Sequence, residues 1–266
     1  MTAMTAQYLF SQFALLVMLS AVPLSAADAA PRHYDLYLLI GQSNMAGRGL
    51  LDAESKNIYP RVFAFDKAGT WQPAQDPLHF DKKEAAVGPG LAFGKAMAEA
   101  DPQAVIGLIP CAVGGSAIAQ WVPGGQEPYT KLFPYDETIR RVRLAQQSGT
   151  LKAILWHQGE ADRGAAQRAV YGEKLTDLVK RLRSDLNVPD VPFIAGELAL
   201  LDEHSRNSTT EFNRVVNGLV GTIPLFACVP ANDLHDKGDH LHLDTASART
   251  FGKRYAEVLL KLRQKP

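Results

Sequence analysis

Tyr34-Asp35-Leu36-Tyr37-Leu38-Leu39-Ile40-Gly41-Gln42-Ser43-Asn44-Met45-Ala46-Gly47 is the stretch whose pattern decides the fold. Residues 34–40 are apolar almost throughout, and Gly41 closes the run. A strand apolar at successive positions presents no face to water and is covered on both sides. Similar short runs occur at 62–65, 105–110, 151–156, 192–196 and 225–229. Longer stretches with helical apolar spacing lie at 90–99, 129–147, 165–186, 209–220 and 245–262. Buried strands alternating with helices predict an α/β fold: a three-layer α/β/α sandwich on a doubly wound, mostly parallel sheet. In such sheets ligands bind beyond the carboxyl ends of the strands. The residues just after each run are therefore the place to look for chemistry.

The composition fits one such domain. The chain has 266 residues, 46% of them hydrophobic and 21% charged, enough for a large core without metal or disulfide staples. Lys plus Arg equals Asp plus Glu at 28 each, with no basic stripe or acidic tail, which argues against nucleic acid and anionic membranes as partners. Residues 1–29 differ: the apolar run 13–19 and the small-x-small Ala27-Asp28-Ala29 predict a signal peptide, although no Lys or Arg precedes the run. The run is short for a membrane span. The expectation is a single domain over 30–266, secreted or periplasmic, with no stable membrane span once the signal is removed. Cys111 and Cys228 are the two cysteines; both sit in apolar runs, where free buried thiols are common, and an exported chain also permits a disulfide.

After the first run, Gly41-Gln42-Ser43 offers a serine at a sharp strand-to-helix turn, either a nucleophile or a simple helix N-cap. Met45 rules out the G-x-S-x-G elbow. After the third run, the Gly114-Gly115 pair could turn backbone N–H groups into a pocket, as an oxyanion hole requires, or form an ordinary loop. Ser116 beside it is a second serine candidate. After the fourth run comes Trp156-His157-Gln158-Gly159-Glu160. Here Gln158 could donate to an oxyanion and Glu160 could orient an imidazole, while His157 also suits a structural role.

After the last run lies Asp239-x-x-His242, immediately before the final helix. One turn sets the carboxylate beside the ring, so that the acid can accept the Nδ1 hydrogen and leave Nε2 free to take a serine proton. Asp76-x-x-His79 repeats the spacing after the second run, a position less suited to reach Ser43. His235, Asp236, Asp239, His240, His242 and Asp244 could also be metal donors, but their spacing matches no zinc or EF-hand pattern. Trp71 and Trp121 are candidate platforms for a sugar face, or tryptophans of the core and rim.

These blocks together resemble the sialate O-acetylesterase and acetylxylan esterase group, carbohydrate esterase family six of the SGNH hydrolase superfamily. The resemblance rests on Ile40–Gly49, Gly88-Pro89-Gly90, Gly114-Gly115-Ser116 with Trp121, Trp156–Glu160 and Asp239-x-x-His242, in the family's order, and spans about residues 34–262. It implies a flavodoxin-like sheet, Ser43 as nucleophile, His242 as base, and Asp239 or Glu160 as its support. It also implies an oxyanion hole from the N–H groups of Ser43 and Gly115 with the Gln158 side chain. His240 stands where the family usually has glycine. The implied reaction is two-step acyl transfer that removes acetyl groups from a carbohydrate, with no metal or organic cofactor. A carbohydrate-binding protein without chemistry, or a lipase or thioesterase of the same superfamily, are the other readings of this fold.

Overall fold

In the computed structural model, which describes residues 33–264, one sheet runs through the middle of the domain. The expected signal segment, residues 1–29, lies outside the described residues. The strands are β1 (Tyr34–Gly41), β2 (Val62–Phe65), β3 (Trp71–Pro73), β4 (Ile106–Pro110), β5 (Gly149–His157), β6 (Phe193–Gly196) and β7 (Phe226–Val229). Their order is β3-β2-β4-β1-β5-β6-β7, parallel except for β3, which pairs antiparallel with β2. Without the β2–β3 edge the order reads second-first-third-fourth-fifth, the flavodoxin-like winding. Its switch point lies at β1, between β4 and β5.

The helices are α1 (Ser43–Ala46), α2 (Pro89–Ala100), α3 (Pro134–Ala145), α4 (Ala165–Ala169), α5 (Tyr171–Asp185), α6 (Arg206–Asn217) and α7 (Thr245–Arg263). Alternate residues of β1 feed two cores. Leu36, Leu38 and Ile40 pack with Val142 of α3, Leu175 and Leu178 of α5 and Phe212 of α6. Tyr37 and Leu39 pack with Phe93 and Met97 of α2 and Phe251 and Tyr255 of α7. Each leucine or phenylalanine so buried contributes about 1.5–3 kcal/mol. No helix among the described residues is long and apolar enough to cross a membrane.

Two expectations needed correction, and one strand had not been expected. The stretch 165–186 is two helices: Val170 leaves the α region (φ −110°, ψ 0°), letting α5 turn Tyr171 fully inward, whereas α4 buries no residue. The helix expected from 129 starts at Pro134, whose ring disfavours helical backbone in the residue before it. The edge strand β3 has three residues, too few for a periodic signal. Cys111 and Cys228 are both free thiols.

Candidate active site

The first turn beyond β1 is set by Gly41. It has φ 128°, and a Cβ there would lie 2.0 Å from the His157 carbonyl oxygen, so only glycine lets β1 and β5 approach this closely. The chain then turns straight into α1, and Ser43 sits at the head of that helix, 7% exposed. Its N–H is too early in the helix to have an internal partner and donates to no group among the described residues.

His242 reaches the serine from the other side, in the loop between β7 and α7. That loop folds back on itself. Asp236 bridges to Leu243, the Lys237 N–H donates to the His242 carbonyl (2.9 Å), and Asp244 caps α7 at the Ser247 N–H (2.7 Å). Asp239 Oδ1 accepts the N–H groups of Leu241 (3.0 Å) and His242 (2.8 Å), while Oδ2 accepts from the ring Nδ1 at 2.8 Å. Partial burial works against the Asp239 carboxylate, but the His242 amide, the His242 ring and the Leu241 amide outweigh it and hold its pKa at about 2. An ionised carboxylate can only accept, so the ring hydrogen is on Nδ1. The Nε2 lone pair then faces the Ser43 hydroxyl at 3.1 Å. A serine, an imidazole and a carboxylate in this order can move a proton off the serine oxygen as it attacks.

Glu160 is part of the same assembly but does not hydrogen-bond the imidazole. Its Oε1 accepts from Asn44 Nδ2 at 2.6 Å. Asn44 in turn donates to the Leu241 carbonyl (3.1 Å) and accepts the Leu243 N–H (2.9 Å), gripping the backbone on both sides of His242. Asn44 follows Ser43 directly, so one short helix carries both the serine and the clamp that sets the histidine against it.

Gly115 has φ 85°, a conformation that favours glycine, and its N–H also donates to no group among the described residues. The loop it lies on is tied to the serine turn twice. The Val113 N–H donates to the Gly41 carbonyl (2.9 Å). The Gly114 N–H donates to Asp81 Oδ2 (2.8 Å), which also accepts from Arg48 Nη2 (3.1 Å). Arg48 and Asp81 are both buried, and breaking such a pair by removing one member typically costs about 3–5 kcal/mol.

Several candidates turn out otherwise. Gln158 does not offer its amide to an oxyanion. Its side-chain nitrogen faces Gln42 Oε1 (3.1 Å), the Ser116 carbonyl (3.1 Å) and Asp162 Oδ2 (2.6 Å), three acceptors for two hydrogens. Its oxygen accepts from the Tyr171 hydroxyl (2.9 Å), so Gln158 knits loops together beneath the site. Trp121 is not a sugar platform: it is 0% exposed and packs edge-on against Trp156. Trp71 stacks on Tyr34, the first residue of β1, and donates to Ser148 just ahead of β5. Both contacts mark the amino end of the sheet, opposite Ser43. Ser116 is buried, donating to the Val113 carbonyl (2.8 Å) and accepting from Trp121 Nε1 (3.0 Å). His157 is buried against Phe251, its Nε2 at 3.1 Å from the Glu197 carbonyl. Burial pushes the His79 pKa down to about 4, and the carboxylate it feels is Asp81 rather than Asp76. Among the described residues no three His, Cys, Asp or Glu side chains converge as a metal site.

The residues that sequence reasoning missed are Asn44, Arg48, Asp81 and Asp162. Asn44 carried a signal, as a polar residue fused to the serine of a buried turn; the others become neighbours only through tertiary packing.

Comparison with known proteins places the chain in a family and its fold among solved structures. The family model described as "Carbohydrate esterase, sialic acid-specific acetylesterase" matches residues 33–261. The "Probable carbohydrate esterase At4g34215" of Arabidopsis thaliana is 33% identical over 248 residues, covering 85% of this chain and 90% of that protein. The X-ray structure of Arabidopsis AT4G34215 superposes with a TM-score of 0.76 at 30% identity, over 86% of this chain and 98% of that one. The fold alone is shared with NanS, at a TM-score of 0.66 and 17% identity over 89% of this chain and 99% of that one. The described residues thus form an α/β sandwich of the kind seen in these structures, and the chain belongs to the sialic acid-specific acetylesterase family of carbohydrate esterases.

Proposed function

We propose that this protein is a serine esterase that removes O-acetyl groups from a carbohydrate, with Ser43 as nucleophile, His242 as general base and Asp239 as the acid that orients it. The observation that carries the reading is the unbroken relay from Asp239 to His242 Nδ1 and from His242 Nε2 to Ser43 Oγ, at 2.8 and 3.1 Å, in a member of a carbohydrate esterase family. As Ser43 Oγ bonds to the acetyl carbon, its proton passes to His242 Nε2. The carbonyl oxygen takes the negative charge beside the N–H groups of Ser43 and Gly115. Collapse of this intermediate breaks the bond to the sugar oxygen, which leaves with the proton from His242. Water then repeats the sequence and frees acetate.

The test is acetate release from a panel of acetylated xylan, O-acetyl sialic acid and acetylated peptidoglycan. Release from at least one supports the reading, while binding of these sugars without any release would favour the carbohydrate-binding alternative. Among simple esters, acetyl is expected to turn over faster than octanoyl. Faster cleavage of the octanoyl ester would make the protein a lipase-like member of the fold. Activity is expected to survive EDTA, and a loss restored by added metal would contradict the proton relay as the complete machinery.

A further inference from the structure

With the Gln158 amide fully used, two backbone N–H groups remain near the site of the developing negative charge. The segment that braces the Gly114–Gly115 loop brings a third group. Asp81 is bonded to the Gly114 N–H, so the next residue of that segment, Lys82, is delivered beside the next residue of the loop, Gly115. The Lys82 Nζ lies 3.7 Å from the point that a Cβ on Gly115 would occupy, and among the described residues outside Gly114–Ser116 no other group comes within 4 Å of that point. Lys82 itself is half-buried.

The charges around it make this position informative. The negative charge of Asp81 is matched by Arg48 at 3.1 Å. Lysine ion pairs among the described residues involve Lys83, Lys95, Lys152 and Lys237, not Lys82. Glu127 is close enough to feel the Lys82 charge, but its oxygens accept from Tyr129 and Thr130. The half-buried Lys82 ammonium makes no ion pair within 4.0 Å among the described residues, feels the Glu127 carboxylate from further off, and lies against the loop that carries the free Gly115 N–H. A cation whose pairing tightens when an anion forms next to it stabilises the transition state more than the ground state.

We propose that the Lys82 ammonium is a catalytic residue that stabilises the acetyl oxyanion together with the N–H groups of Ser43 and Gly115, in the role first assigned to Gln158. This rests on the serine esterase reading above. In the acylation step the carbonyl π pair moves onto oxygen as the Ser43 Oγ–carbon bond forms. Lys82 holds that charge without giving up its proton, and the pair returns when the sugar oxygen leaves with the proton carried by His242. The flexible lysine stem lets Nζ close the last distance to the oxygen.

The experiment compares wild type, Lys82→Met, Lys82→Arg and Ser43→Ala on 4-nitrophenyl acetate, with thermal unfolding followed for each. Lys82→Met is expected to lower kcat roughly 10- to 100-fold, somewhat less than the loss of a fully buried oxyanion donor, with KM changed by no more than about threefold. Lys82→Arg, which keeps the charge, is expected to recover most of that loss. Should the Met variant not fold, Lys82→Gln takes its place in the comparison. A kcat within about twofold of wild type, a loss confined to KM, or an Arg variant as slow as the Met variant would each overturn the role of Lys82. Ser43→Ala separates this from the reading beneath it. A silent Lys82→Met beside an inactive Ser43→Ala removes only the lysine from the mechanism, whereas an active Ser43→Ala removes both.

Discussion

Ser43→Ala is expected to lower turnover of 4-nitrophenyl acetate by about 10³-fold or more while the protein stays folded. The size of the loss follows from the relay, because without the hydroxyl the imidazole has no proton to take and no covalent acetyl intermediate can form. The fold should survive because the Ser43 side chain contacts His242 and fills no part of either hydrophobic core. The backbone turn is held by Gly41 and by the Gln42 N–H bond to the His157 carbonyl (2.9 Å), neither of which the substitution touches. Turnover of the purified variant near the wild-type rate would remove Ser43 from the mechanism.

The second large effect separates the two acids. Asp239→Ala is expected to cost up to about 10⁴-fold in turnover, since it frees the imidazole to adopt the wrong tautomer and leaves the imidazolium without a counter-charge. Glu160→Ala is expected to cost less, about 10- to 100-fold, the equivalent of one hydrogen bond to a charged group. The difference lies in what each carboxylate touches. Asp239 bonds the ring itself at 2.8 Å, whereas Glu160 bonds Asn44, and only Asn44 reaches the backbone around His242. On the proposed reading Glu160 is a positioning residue, and Glu160→Gln, which keeps an acceptor for Asn44, should recover much of the loss. Asn44→Ala should resemble Glu160→Ala, and the two together should cost little more than either alone, because they break one chain of contacts. An inactive Glu160 variant beside an active Asp239 variant would reverse the assignment.

Much of this could be read in the sequence because its signals are local. The runs that became β1, β2, β4, β5, β6 and β7 were visible because each is buried on both faces, and burial of that kind writes continuous apolar sequence. Asp239 and His242 are three residues apart in one loop, so their contact was nearly built in by the chain. The serine was visible by its place at a strand end. What failed depended on partners remote in sequence. Gln158 suits an oxyanion by residue type and place alone; the acceptors that surround its amide, Asp162 four residues on and Gln42 and Ser116 from other strand ends, are not visible in its own stretch of chain. In sequence the Trp121 indole looks the same in a core as on a rim, and only its packing against Trp156 decides between them. Asp81 and Lys82 carried no motif, since their position follows from the Gly114 contact and from nothing in their own stretch of chain.

The central claim is that acetyl passes through a covalent ester on Ser43. The direct measurement is rapid acid quenching of the full chain during turnover of 4-nitrophenyl acetate, followed by peptide mass analysis. The account expects one acetyl group on the peptide that carries Ser43, at its highest early in the reaction, and none there in Ser43→Ala. Acetyl on a peptide carrying Ser116 or another nucleophile in place of Ser43, with turnover intact in Ser43→Ala, would contradict it.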